Sequence, residues 1–237
     1  MFNYLANPTR FKKVASFILP FLEVICLLSL VYGLYLALLV SPADYQQGDA
    51  VRIMYVHVPS AWLALSSYLL LGICSFFFLI WRHPLAEIAA RSIAPIGTGF
   101  AALTLITGSF WGKPIWGVWW VWDGRLTSML VLFFFFIGYI SLSNAFDRSE
   151  RGARPAAILA LVGCINLPIV KFSVDWWHTL HQPASIMRSG GISIDTAMLW
   201  PLLTLFFSFQ IFFIIIVLTR MLTLLNELKY LKQISRS

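Results

Sequence analysis

Six uninterrupted apolar runs, at roughly residues 15 to 40, 59 to 81, 92 to 110, 126 to 146, 156 to 173 and 197 to 221, decide what this 237-residue chain can fold into. About 20 apolar residues carry an α-helix across the hydrocarbon core of a bilayer. Lipid offers the backbone no hydrogen-bonding partner, so only helices or a closed barrel span it. The runs are continuous rather than alternating, which selects helices. Composition agrees: 59% of residues are hydrophobic and 11% charged, against about a quarter charged in soluble domains. The expected fold is an all-α integral membrane protein with six transmembrane helices in a single domain, residues 1–237. Neither an internal repeat nor a low-complexity linker divides it. The first run follows Arg10, Lys12 and Lys13, as a signal peptide would. At about 25 residues, with no small-residue cleavage pattern before Pro42, it reads as a retained span.

An even number of spans places both termini on one side, and the basic residues say which. Arg10, Lys12, Lys13, Arg82, Arg91, Arg148, Arg151, Arg154, Arg220, Lys229, Lys232 and Arg236, twelve of the seventeen, fall on the termini and on the 82–91 and 147–154 turns. The remaining five, Arg52, Lys113, Arg125, Lys171 and Arg188, lie on or near the opposite segments. The positive-inside rule then makes both termini cytoplasmic. Segments 41–58, 111–125 and 174–196 face outward. The net charge of +7 is thus a signal of topology and of contact with anionic lipid, not of nucleic acid.

The outward segment Trp111 to Ser128 reads WGKPIWGVWWVWDGRLTS and holds Trp111, Trp116, Trp119, Trp120 and Trp122, five of the ten tryptophans. Interfacial belts place tryptophans singly at helix ends; this density suits a platform for something flat and apolar. Three of the four histidines share that side. His57 lies in YVHVPS, where Pro59 suits the first turn of the next helix. His178 and His181 lie in DWWHTLHQP, on one face if that stretch is helical. His83, in the cytoplasmic RHP turn, reads as a solvated loop residue. Haem needs aromatic cover, neutral imidazoles for its iron and cations for its propionates. Trp116, Trp119, Trp120 and Trp122 supply the first. His57 with either His178 or His181 supplies the second, and Arg125, Lys113 and Arg52 the third. Asp123 would repel a propionate, so its expected task is to orient Arg125 or cap the fourth helix.

The tryptophan run resembles the signature of the WWD proteins, the haem-handling family of cytochrome c biogenesis. PADYQQG, YVHVP and NLPIVKFSVDWWHTLHQ extend the likeness from about Pro42 to Pro183. Larger members of that family carry many more helices and histidines, so length places this chain with the short ones. The resemblance implies a bacterial inner-membrane protein that holds haem b at the outer, periplasmic face and loads it onto a membrane-anchored haem chaperone of CcmE type. ABC subunits of CcmA/CcmB type then drive release of the loaded chaperone, and a small CcmD-type membrane protein accompanies them. Position by position, the axial ligands fall on His57 and His181, while His178 lies outside the pattern. Trp111 and the other tryptophans of the run, with Asp123, fall on the haem platform and the chaperone-docking surface. The implied role is binding and transfer rather than catalysis.

Other readings fit less well. No carboxylate pair or nucleophile–base constellation marks an enzyme. Gly112 and Lys113 lack the glycine spacing of a phosphate-binding loop. A cytochrome b would place histidines at membrane depth, and a transporter would show paired interrupted helices. Only the third run, with Pro95, Gly97 and Gly99, looks interrupted, and there Ala94, Gly97, Thr98 and Ala101 read instead as close-packing positions. Lys171 is expected to snorkel to the headgroups. Cys26, Cys74 and Cys164 form no CxxC or haem-attachment motif and read as small core residues. Glu23, a carboxylate inside the first run, is a functional candidate by its depth alone.

Overall fold

The structure, a computed structural model, describes residues 7–145, 149–182, 185–186 and 190–234. Arg148, Arg188, Arg236, Ser189 and Pro183 lie outside them. Helix α1 (Pro8–Tyr35) widens at its end into a π turn (Leu36–Val40); α2 is Met54–Trp81, α3 Pro84–Trp116 and α4 Gly124–Asn144. Helices α5 (Ser149–Gly163) and α6 (Asn166–Trp176) form one broken span, and α7 is Thr196–Ile234. Six stretches are thereby long and apolar enough to cross a membrane, and no strand occurs among the described residues.

The helices outrun the apolar runs because polar caps continue them into the interface. Asn7 accepts hydrogen bonds from the Thr9 and Arg10 amides, with Pro8 at the first helical position, so α1 begins seven residues before the apolar run does. Arg82 closes α2 in the left-handed conformation at φ 52°, and Gly117 closes α3 at φ 76°. Pro20, Pro59, Pro95 and Pro201 sit inside continuous helices, which membrane spans tolerate when neighbouring groups satisfy the freed backbone.

The interruption falls in the fifth span rather than the third. Pro168 cannot donate to the Cys164 carbonyl and would clash with it, so the chain turns at Cys164 and Ile165. Buried Asn166 spans the gap, its Nδ2 donating to the Ser128 carbonyl at 2.8 Å. Helix α3, by contrast, runs straight through Pro95, with Ala94 and Ala101 fully buried.

Lipid tails are as apolar as leucine, so close approach at small residues, rather than exclusion of water, holds such a bundle together. Around a core of Leu63, Tyr68, Leu71, Ala94, Leu132 and Phe136, glycines provide that approach. A Cβ on Gly97 would lie 2.3 Å from Phe136 Cζ and 2.7 Å from Ser67 Oγ. Phe136 is itself fully buried and has nowhere to move. Gly97→Ala should therefore destabilise the protein by about 1–3 kcal/mol, read as a lower thermal midpoint in detergent. Gly99→Ala, whose Cβ meets nothing within 4 Å, should leave the midpoint unchanged; equal midpoints for the two variants would refute this packing.

Both described termini lie at one end of the bundle. Lys12 Nζ donates to Asn226 Oδ1 at 2.6 Å, and Leu85 and Ile88 of α3 pack with Met221 and Leu225 of α7 and with Phe11. The opposite end gathers the 41–53 connection, the tryptophan loop and the segment after α6.

Candidate functional site

His57 is the fourth residue of α2, behind a 3-10 turn at Asp49–Ile53. Pro59 is thus an interior helix residue, not the first-turn residue expected from sequence, because the 3-10 turn carries the winding back past it. The consequence is a buried, rigidly held imidazole. Its Nδ1 lies 3.0 Å from Thr107 Oγ1 of α3. That hydroxyl has one proton, and it is directed to the Leu103 carbonyl at 2.6 Å. Thr107 therefore accepts, His57 donates from Nδ1, and Nε2 keeps its lone pair for a metal. Gly108 gives the ring room: a Cβ there would stand 3.1 Å from His57 Cε1. Trp111, one turn further, meets the ring edge-on at 5.5 Å between centres and is itself held by Gln47, whose Oε1 accepts from its indole at 2.9 Å.

His181 reaches the same place from the other side. Helix α6 ends at Trp176, so His178 and His181 do not share a helical face. His178 is exposed, whereas His181 turns inward, its ring centre 6.4 Å from that of His57 with 33° between the planes. The Trp116 ring centre lies 6.0 Å from that of His181. The loop hangs from the start of α4: Asp123 caps that helix through the Leu126 amide at 2.8 Å and accepts a hydrogen bond from the Thr179 hydroxyl. Thr179 Oγ1 in turn accepts from the His181 amide at 3.1 Å. The imidazole is less tightly fixed, its Nδ1 donating to the Gln182 carbonyl at a long 3.4 Å. Burial, and then the nearby Arg125 charge, hold the His181 pKa below the usual histidine value, with the hydrogen bond to the Gln182 carbonyl and then Asp123 opposing. Burial and the Arg125 charge both favour the neutral, metal-binding form.

The three cations are engaged differently. Arg125 ties α4 to α6, its Nε donating to Ser173 Oγ at 3.0 Å and Nη2 to the Lys171 carbonyl at 3.4 Å, and it alone stands close enough to bear on His181. Arg52 pairs with Asp49 at 3.0 Å and donates to Ala37 O at 2.6 Å, a carbonyl of the π turn. Lys113 caps Gly117 O at 2.8 Å and lies over the Trp119 ring.

The tryptophans do not form one platform. Trp111 and Trp116 flank the histidines, while Trp119 packs against Phe110 and Trp120 against Trp122. The latter pair lines a shallow apolar hollow of about 380 Å³ with Leu105, Ile106, Ser109 and Leu130. Trp119 and Trp122 are 54% and 76% exposed, and the buried Trp120 indole N–H has no acceptor among the described residues. Sequence reasoning missed Thr107, Thr179, Gln47 and Ser173. Thr107 carried one signal, its four-residue offset from Trp111, which places both on one face of α3.

The two imidazoles are neighbours, 6.4 Å apart between ring centres. With metal–nitrogen bonds of about 2 Å and roughly 1 Å from nitrogen to ring centre, imidazoles on opposite sides of one metal stand about 6 Å apart. Among the described residues no three His, Cys, Asp or Glu side chains converge.

Comparison with known proteins gives a consistent result. The family model described as CcmC, heme exporter protein C, matches residues 1–235. The heme exporter protein C of Bradyrhizobium diazoefficiens is 52% identical over 217 residues, 92% of this chain and 82% of that protein. That of Escherichia coli K12 is 42% identical over 223 residues, 94% and 90% of the two chains. A ccmC-like mitochondrial protein of cytochrome c biosynthesis from Marchantia polymorpha is 48% identical over 187 residues, 77% and 79%. The chain therefore belongs to the heme exporter protein C family.

Proposed function

We propose that this protein, which shares its family's role in haem handling for cytochrome c biogenesis, binds haem b between His57 and His181 and passes it to a membrane-anchored chaperone of CcmE type. The observation that carries the reading is the 6.4 Å separation of the two rings, with Trp111 against His57 and Trp116 against His181. The porphyrin fills four positions on the iron and the imidazoles the two axial ones. Arg125 stands nearest for a propionate. The basic end of the bundle lies in the cytoplasm and the tryptophan loop outside a bacterial inner membrane, as the charge bias favours.

His57 is the firm ligand, buried and oriented by Thr107. His181 is the exchangeable one, on a loop with a long hydrogen bond, and the chaperone's own ligand displaces it. The transfer draws its energy from ABC partners of CcmA/CcmB type, with a CcmD-type subunit in the assembly. Thr107→Val is nearly isosteric but removes the acceptor that fixes the His57 tautomer. Such partners are worth 10–100-fold in metal affinity, and a loss of about that size is expected in a haem titration; unchanged affinity would contradict the role given to Thr107.

Trp119, Trp120 and Trp122, turned away from the histidines, form the chaperone-docking surface. The test is transfer from haem-loaded protein to a purified CcmE-type chaperone. Trp119→Ala with Trp122→Ala should keep the haem spectrum and lose most of the transfer, whereas loss of haem with transfer of the remainder at the normal rate would reassign these residues to haem binding.

A further inference from the structure

Helix α1 stands at the edge of the bundle, with only 11% of its apolar window buried. One face packs on α7: Ala15, Cys26 and Gly33 are buried, Cys26 Sγ donates to the Ser208 carbonyl at 3.6 Å, and Gly33 lies against Leu205. The rest of α1 faces lipid. Within it, Glu23 is the sixteenth of the 33 residues Pro8–Val40, deeper than its place in the apolar run alone suggests. It comes ten residues after Lys13, a rise of about 15 Å and so half of a ~30 Å hydrocarbon core. Its side chain is exposed, and among the described residues it has neither a hydrogen bond nor an ion pair.

Glu23 is not alone on that face. Ser16, Pro20, Glu23, Leu27 and Leu34 are all exposed and follow one another at offsets of 4, 7, 11 and 18 from Ser16, a single stripe along the helix. Pro20 has no N–H, so the Ser16 carbonyl lacks its usual donor one turn on. At mid-membrane depth the stripe therefore offers a carboxylate and, a turn and more away, a backbone acceptor, to a medium with no donors. Ionisable groups at this depth pair with another polar group.

We propose that this stripe of α1 docks a transmembrane helix of a partner protein that carries a lysine or arginine at mid-membrane depth, placed on Glu23. Charge complementarity selects that occupant. Lipid tails have no cation to offer. A second copy has none at this depth either, because the described lysines and arginines lie towards the ends of the spans, so two-fold pairing would set Glu23 against Glu23. The neighbouring leucines and Pro20 supply the apolar flank against which such a helix would lie.

The test uses the full-length protein in liposomes, labelled at its amino terminus, with two synthetic leucine-rich transmembrane peptides as probes. One peptide has a central lysine, the other leucine at that position, and association is read by fluorescence energy transfer. Wild type should bind the lysine peptide about tenfold more tightly than the leucine peptide, the scale of an interhelical polar contact in membranes. Glu23→Leu should abolish the preference, and Glu23→Gln most of it. Unchanged thermal midpoints would show that both variants fold, as expected for a lipid-facing position. Equal binding of the two peptides by wild type would overturn the proposal, as would a preference that survives Glu23→Leu or persists in full in Glu23→Gln. Self-association of labelled wild type that vanishes in Glu23→Leu would also overturn it, in favour of a second copy.

Discussion

Replacing His57 with alanine is expected to lower haem affinity by more than about 100-fold, exceeding the 10–100-fold effect of losing a ligand's hydrogen-bonding partner. The imidazole is buried on a helix, its Nδ1 donates to Thr107, and the neighbouring His181 is already assigned to the other axial position. His181→Ala should behave differently. Its loop is less constrained, so the variant should retain haem on His57 as a five-coordinate, high-spin species with a smaller loss of affinity. Equilibrium titration with absorption spectra separates the two. A His57→Ala protein that binds haem as well as wild type, beside a His181→Ala protein that binds almost none, would reverse the assignment of firm and exchangeable ligands.

The second large effect is expected at Asp123, which touches neither ring. One carboxylate oxygen caps α4 and the other receives the Thr179 hydroxyl, which fixes the His181 backbone. Asp123→Ala removes both contacts. Loss of the cap should cost about 1 kcal/mol of stability, and release of the loop should give the five-coordinate spectrum of His181→Ala. Thr179→Val separates these consequences, because it cuts the link to His181 and leaves the cap in place. It should reproduce the spectral change without the fall in thermal midpoint. A six-coordinate spectrum in Thr179→Val would mean that the loop is positioned by other contacts.

Much of this architecture is legible in the chain. Six spans follow from six apolar runs, because in lipid an apolar stretch of that length has few other folds open to it. The clustering of His57, His181 and the tryptophan run at one end follows from span parity alone. Less accessible are features set by the rotation and register of neighbouring helices. Whether Thr107 meets His57 depends on how α3 turns against α2, which periodicity in a uniformly apolar helix does not specify. The break at Cys164 and Ile165 was hidden because the run 156 to 173 is apolar throughout, and Pro168 resembles the tolerated Pro59 and Pro95. The division of the tryptophans into two groups depends on the turn at Gly117, whose positive φ redirects the chain between Trp116 and Trp119. Thr179 and Asp123 are far apart in sequence and meet only because α6 ends beside the start of α4.

The most direct measurement is the visible absorption spectrum of the purified wild-type protein in detergent after addition of haem. Ligation by His57 and His181 requires a six-coordinate, low-spin spectrum. A stable five-coordinate, high-spin spectrum, or no binding, would contradict a site built on these two histidines.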